Sequence, residues 1–436
     1  MNKKLLLAGL AGILSLATAC KKDDPSPKPT PIPQPGFTIE AKTTDLLQFD
    51  TVRLSAQGAK ADAKLSWVIN GKEVAEGKDY AFTQPRVGRY QVSLVDKTSG
   101  EKVSKDFSVT ARFTSGAFLL NEGNFGNETG TLTYIDASKQ FVLDSAYIRV
   151  NGTKLGNVCQ DMTFANGKVY IISQNGPKNG GEGLLTIADA KTLEKHKVIN
   201  DATLAKDWPT HIAVVHSRIY LRGNSGIYRG TEEGSFKLIP GTEKANKLRM
   251  VTIGELVIAT TSTNKLLVIQ DEEVKQTFTL PEGSPSGLAL APDGQLWLSY
   301  SKPNTLAKVS VSASGVKILD KHTTTQSLDK QWTATSAIFA RANQIFFTEQ
   351  SSVIYRHDFS TGETKEIVDV QKVDKQAKMY YNSLGIDPKT GHIYYASFDD
   401  YSTYKKNVTL VLDHDGKVLL KREHVNAFPA GFYFIP

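Results

Sequence analysis

The sequence predicts an all-β protein, a seven-bladed β-propeller preceded by a small β-sandwich. Three observations predict it. Over residues 37–112, apolar side chains alternate in short runs between turn residues, the period-two pattern of strands with one buried face. From residue 113 onward a phrase of two short strands joined by a tight turn recurs every 37 to 50 residues, and such a period marks a propeller. The last recurrence is divided: residues 117–120 (AFLL) read as a second strand with no first, and residues 430–435 (AGFYFI) as a first strand with no second.

The N-terminus reads as an address. Lys3 and Lys4 precede an apolar stretch over residues 5–19, shorter than the roughly 20 residues a bilayer-spanning helix needs. Residues 1–19 are therefore expected to be a secretory signal peptide. Residues 17–20 (ATAC) resemble the lipobox of bacterial lipoproteins, which implies that Cys20 becomes the acylated first residue. The following KKDD (21–24) resembles the lipoprotein export signal of Bacteroidetes, which implies a lipid-anchored position on the outer face of the outer membrane. The run PSPKPTPIPQPG (25–36) predicts an extended, polyproline-II-like chain, so that residues 20–36 form a tether.

In residues 37–112 the alternating positions are Val52 and Leu54, then Leu65, Trp67 and Ile69, then Tyr80 and Phe82, then Tyr90, Val92 and Leu94. Asn70-Gly71 and Ser99-Gly100 supply hairpin turns. The segments 67–71 (WVING) and 88–92 (GRYQV) resemble domains of the PKD/immunoglobulin type, which implies a spacer or interaction unit.

Residues 113–436 carry the repeats. The first residues of the second-strand cores are Val169, Ile219, Leu256, Leu296, Ile345 and Ile393. With the divided copy these make seven units of about 46 residues each, inside the range for propeller blades. Joining both halves of the divided unit into one blade would close the ring and remove its open strand edges.

Composition excludes several functions. The net charge is +7, yet only 12 of the 52 basic residues are Arg and none forms a dense run. Nucleic-acid readers show clustered Arg or a basic stripe, so no nucleic-acid partner is expected; dispersed Lys suits the solvated edges of a large β surface. The two cysteines are Cys20 and Cys159. With Cys20 lipidated, no disulfide is available, and Cys159 is expected to be a buried free thiol. No zinc-ligand spacing and no GxSxG elbow occurs, so neither an enzyme, nor a metal, nor a catalytic cofactor is expected.

Propeller geometry gathers the connections into each first strand, and those between second and third strands, on one face. That face collects aromatics: Phe125, Trp208, Tyr300, Trp332, Tyr380, Tyr381, Phe398, Tyr401, Tyr404 and Phe428. It also collects amides (Asn121, Asn124, Gln174, Asn175) and the charged Glu122, Arg249, Asp399 and Asp400. His211, beside Pro209, stands where a first strand begins. Aromatic walls with sparse polar groups describe a pocket for a large amphipathic ligand; packing between blades accounts equally well for part of the set. Three loops, 121–130, 174–183 and 397–407, exceed ordinary hairpin lengths and belong to neighbouring blades.

The opening LLNEGNFG (119–126), the Gly130-x-Leu132-x-Tyr134-x-Asp136 pattern and residues 151–162 resemble a Bacteroidetes surface propeller lipoprotein family of the YncE/NEGN type. That family is similar to the BtuG-type lipoproteins that capture cobalamin and hand it to a TonB-dependent outer-membrane transporter. The resemblance implies cobalamin as a transported ligand and that transporter as the partner. The alternative is a cell-surface protein–protein interaction or adhesion module without small-molecule cargo.

Overall fold

The computed structural model describes residues 36–329, 336–349, 351–380, 382–425 and 428–436. Cys20, with the signal and tether, lies outside these residues, as do Trp332 and Tyr381.

The N-terminal strands form two facing sheets. One pairs Thr38–Ala41, Thr51–Gln57 and Asp79–Thr83; the other runs Asp45–Leu47, Lys102–Thr110, Gly88–Asp96, Leu65–Ile69 and Lys72–Glu76. The alternating residues fill the space between them. Trp67 is fully buried and stacks on Tyr80 with centroids 6.0 Å apart, and its indole N–H donates to the Gly77 carbonyl at 3.0 Å. Asn70 and Gly71 both adopt positive φ (46° and 85°), the conformation a two-residue hairpin turn demands.

The remaining strands make seven four-stranded antiparallel sheets in chain order. Their innermost strands are Pro429–Phe434, Asn157–Ala165, His211–Val215, Val251–Ile253, Ser284–Leu290, Ile338–Arg341 and Leu384–Ile386, which define blades 1 to 7 in that order. Each contacts the next, and the seventh contacts the first, so the ring closes. Closure is the divided blade made whole: Pro429–Phe434 pairs antiparallel with Ala117–Asn121, Tyr433 opposite Phe118 and Phe434 opposite Ala117.

Burial follows position in the blade. Second strands such as Leu256–Thr260 are buried at every residue, because neighbouring blades cover both faces. Outermost strands such as Glu273–Thr279 alternate between exposed and half-buried, and there the dispersed charges reside. Two buried polar side chains join the sandwich to the ring. The Gln48 amide donates to the Pro85 and Thr192 carbonyls at 2.7 and 3.0 Å. Arg112 bonds to Asp50 and lies 4.2 Å over the Phe141 ring. Among the described residues no helix is long and apolar enough to cross a membrane.

Candidate functional site

The loop 121–130 is held by amides rather than by apolar packing. Asn157, fully buried at the start of its strand, donates to the Asn124 carbonyl at 2.9 Å and to the Glu128 carbonyl. Asn175 donates to the Asn157 side-chain oxygen at 2.7 Å, and Gln160 to the Glu122 carboxylate at 2.8 Å. Asn124 turns its own oxygen to the Gly126 N–H at 2.8 Å. Asn121 is wholly buried with its amide toward Thr133, and Gln174 is nearly so. Asn124 and Asn175, expected to read a ligand, join Asn157 and Gln160 in the scaffold that presents Phe125.

Phe125 projects from that scaffold, 53% exposed, with the Lys178 ammonium 3.7 Å over its ring. A Lys405–Glu128 ion pair at 2.7 Å ties this loop to 397–407. Three rings of that second loop converge with Phe428, which comes from the connection into Pro429–Phe434. Tyr404 stacks on Phe428 at 5.0 Å; Phe398 meets Phe428 edge-on at 5.4 Å; Tyr401 lies 5.8 Å from Phe398 and 5.7 Å from Phe428. Phe398 is buried beneath, while Tyr401 is 49% exposed. Asp400 does not face the rings: its carboxylate accepts from the Ser402 N–H and hydroxyl at 2.7 and 2.6 Å, which holds it below the usual carboxylate range. Asp399 pairs with Lys378 at 2.6 Å. The arrangement offers a partly exposed aromatic patch edged by ammonium and carboxylate groups.

The other candidates stand apart from this cluster. The Tyr380 hydroxyl accepts from the Gln371 amide at 2.8 Å. Tyr300 is fully buried within blade 5. Trp208 caps the helix Ala202–Asp207 in a left-handed conformation and is 48% exposed, on blade 3. His211 is buried and bonds the Thr210 hydroxyl at 3.0 Å through Nδ1.

Arg249 enters the central channel, where sequence reasoning missed its partners. The Asp161 carboxylate of blade 2 accepts from the Tyr433 hydroxyl of blade 1 at 2.7 Å and the Ile212 N–H of blade 3 at 3.1 Å. The Nε of Arg249, at the start of blade 4, lies 3.5 Å from it. One carboxylate thus links four successive blades. Burial pushes the Asp161 carboxyl up, against the opposing pull of Arg249, Tyr433 and the Ile212 N–H. The sequence signal was the lone acid of its strand, Asp161 before Met162. Among the described residues, no group of three or more His, Cys, Asp or Glu side chains converges to hold a metal.

Residues 115–435 match the family described as Domain of unknown function (DUF5074). The chain belongs to this family. Residues 24–104 match the Penicillin-Binding Protein C-terminus Family. No curated protein matches the sequence. Among solved structures, the chain is similar to a quinonprotein alcohol dehydrogenase-like protein from Bacteroides thetaiotaomicron. The two are 16% identical with a TM-score of 0.59, over 92% of this chain and 99% of that one. It is also similar to a protein from Lactobacillus plantarum, at 11% identity and a TM-score of 0.50, over 74% of this chain and 99% of that one. Virginiamycin B lyase from Staphylococcus aureus matches over 63% of this chain and 90% of that one, at 14% identity and a TM-score of 0.39. At these identities the likeness is one of fold, and the fold is the all-β propeller.

Proposed function

We propose that this chain is a binding propeller rather than a catalyst. Tethered through acylated Cys20 at the outer face of the outer membrane, it captures a large amphipathic cofactor of the corrinoid class and passes it to a TonB-dependent transporter. One observation carries the reading: the rings of Phe398, Tyr401, Tyr404 and Phe428 converge at the junction of blades 7 and 1 with Tyr401 half-exposed, and the loop tied to theirs by Lys405–Glu128 exposes Phe125. Ring contacts of this kind contribute about 0.5–1.5 kcal/mol each beyond the area they bury. The flanking Lys178, Lys405 and Glu128 suit the amide-rich periphery of a corrin, and the amide scaffold beneath holds the loops in place before the ligand arrives.

Isothermal titration of the mature chain with cyanocobalamin, and with haem as the comparison, tests this. Cyanocobalamin is expected to bind, and the Phe125→Ala/Tyr401→Ala pair to weaken it at least about tenfold, or roughly 1.4 kcal/mol. Absence of heat with cyanocobalamin, or an affinity the double variant leaves unchanged, sinks the capture reading. Trp208 favours the second reading: an exposed indole on blade 3, away from the quartet, fits the aromatic anchor of a protein–protein surface.

A further inference from the structure

We propose that the central channel holds a second binding site, opening on the face opposite the aromatic loops, for a small amphiphile with an apolar body and one carboxylate head. A cavity of about 340 Å³ occupies the channel between the inner strands, at the lower end of the roughly 300–1,000 Å³ typical of small-molecule sites. It is built with a direction. Each inner strand starts at the loop face, so residues preceding or opening a strand lie deep toward that face. Arg249 and Ser336, which precede Val251–Ile253 and Ile338–Arg341, are there. Residues ending or following a strand lie toward the opposite mouth, and these are Leu290, Pro388 and Phe434. The cavity therefore runs from a polar inner end to an apolar mouth, where Leu290 is 39% exposed.

The inner end presents a donor in need of an acceptor. Arg249 lies 4.5 Å over the Tyr433 ring and its side chain is 24% exposed. Apart from the ion pair of Nε with Asp161, neither Nε nor Nη2 reaches a hydrogen-bond acceptor among the described residues. Asp161 is already shared with the Tyr433 hydroxyl and the Ile212 N–H, so one carboxylate serves three donors and Nη2 of the guanidinium has no acceptor among the described residues. A buried guanidinium edge is costly unless paired, and a carboxylate matches its fork of donors. Apart from Thr163 and Thr252, the side chains along the rest of the cavity are apolar, Phe164, Leu288, Ile338 and Phe339 among them. Such walls reject a second charge and favour a hydrocarbon body.

Titration of the mature chain with decanoate below its micelle-forming concentration, with decanol as the neutral control, tests the site. Saturable one-to-one binding of decanoate is expected, at least tenfold tighter than decanol. Arg249→Met is expected to weaken decanoate at least tenfold and bring it level with decanol. Should Arg249→Met fail to fold, Leu290→Trp at the exposed mouth carries the test and is expected to weaken both probes at least tenfold. No saturable binding of decanoate, or binding that stays within twofold in the variant tested, overturns the proposal.

Discussion

Phe432→Ala tests the closure of the ring where its first and last strands in sequence meet. Phe432 is 2% exposed on the closing strand and belongs to the core shared by blades 7 and 1, with Leu119, Tyr394, Val411 and Leu420. Its ring meets that of Tyr394 at 5.7 Å, nearly edge-on. Facing it is Gly385, where an added Cβ would stand 2.5 Å from that of Phe432, so no side chain on that flank can swing in to fill the space. A buried Phe truncated to Ala costs about 3–5 kcal/mol when the site cannot collapse. With the loss of one aromatic pair included, about 4 kcal/mol is expected. Urea denaturation of the mature chain, followed by circular dichroism, reads this as a midpoint shift at unchanged slope. Because the strand is a latch, carboxypeptidase should also remove the C-terminal residues faster than in the parent chain. Phe347→Ala, equally buried but in blade 6, should lose similar stability without that release. A loss below about 1.5 kcal/mol would show that the site collapses after all. A full loss with no difference in C-terminal release between the two variants would refute the latch.

Three further outcomes follow from buried groups. Tyr433→Phe removes the hydroxyl that donates to Asp161 and should cost about 1–3 kcal/mol, the range for leaving a buried polar group without its partner; a change below about 0.5 kcal/mol in urea would show the bond to be idle. Burial pushes the Cys159 thiol well above its usual range, so iodoacetamide should label it only after denaturation, and rapid labelling of the native chain would contradict its placement. His357 is buried against His322, with their ring nitrogens 2.8 Å apart, and burial followed by its neighbour's charge lowers its pKa below 6.5. The neutral ring's contribution is therefore present above pH 6.5 and is lost as pH falls through the lower folded value. His357→Gln should flatten the fall of the urea midpoint between pH 7 and 5; an unchanged slope would place that sensitivity elsewhere.

Much of this protein is written in local pattern. Alternation around Trp67, the Asn70-Gly71 turn and the recurring strand pairs are properties of a few consecutive residues, and each recurs in the fold because period-two burial and turn chemistry act at that range. The divided blade was legible for the same reason, since a second strand without a first opens the repeats and a first strand without a second closes them. The site was not legible in that way. Asn121, Asn175 and Asn157 look alike in sequence to amides that meet a ligand; only the path of the chain in space turns Asn175 onto Asn157 and Asn121 onto Thr133. Tyr401 and Tyr404 share one loop but Phe428 comes from the connection into the closing strand, and their convergence depends on bringing those two segments together. The Asp161 linkage joins side chains and backbone from four blades across the channel. Strand, turn and repeat come from neighbours along the chain, and the sequence by itself determined them. Which polar groups support the fold and which stay open to a ligand depends on residues far apart in sequence, and only the closed ring decided it.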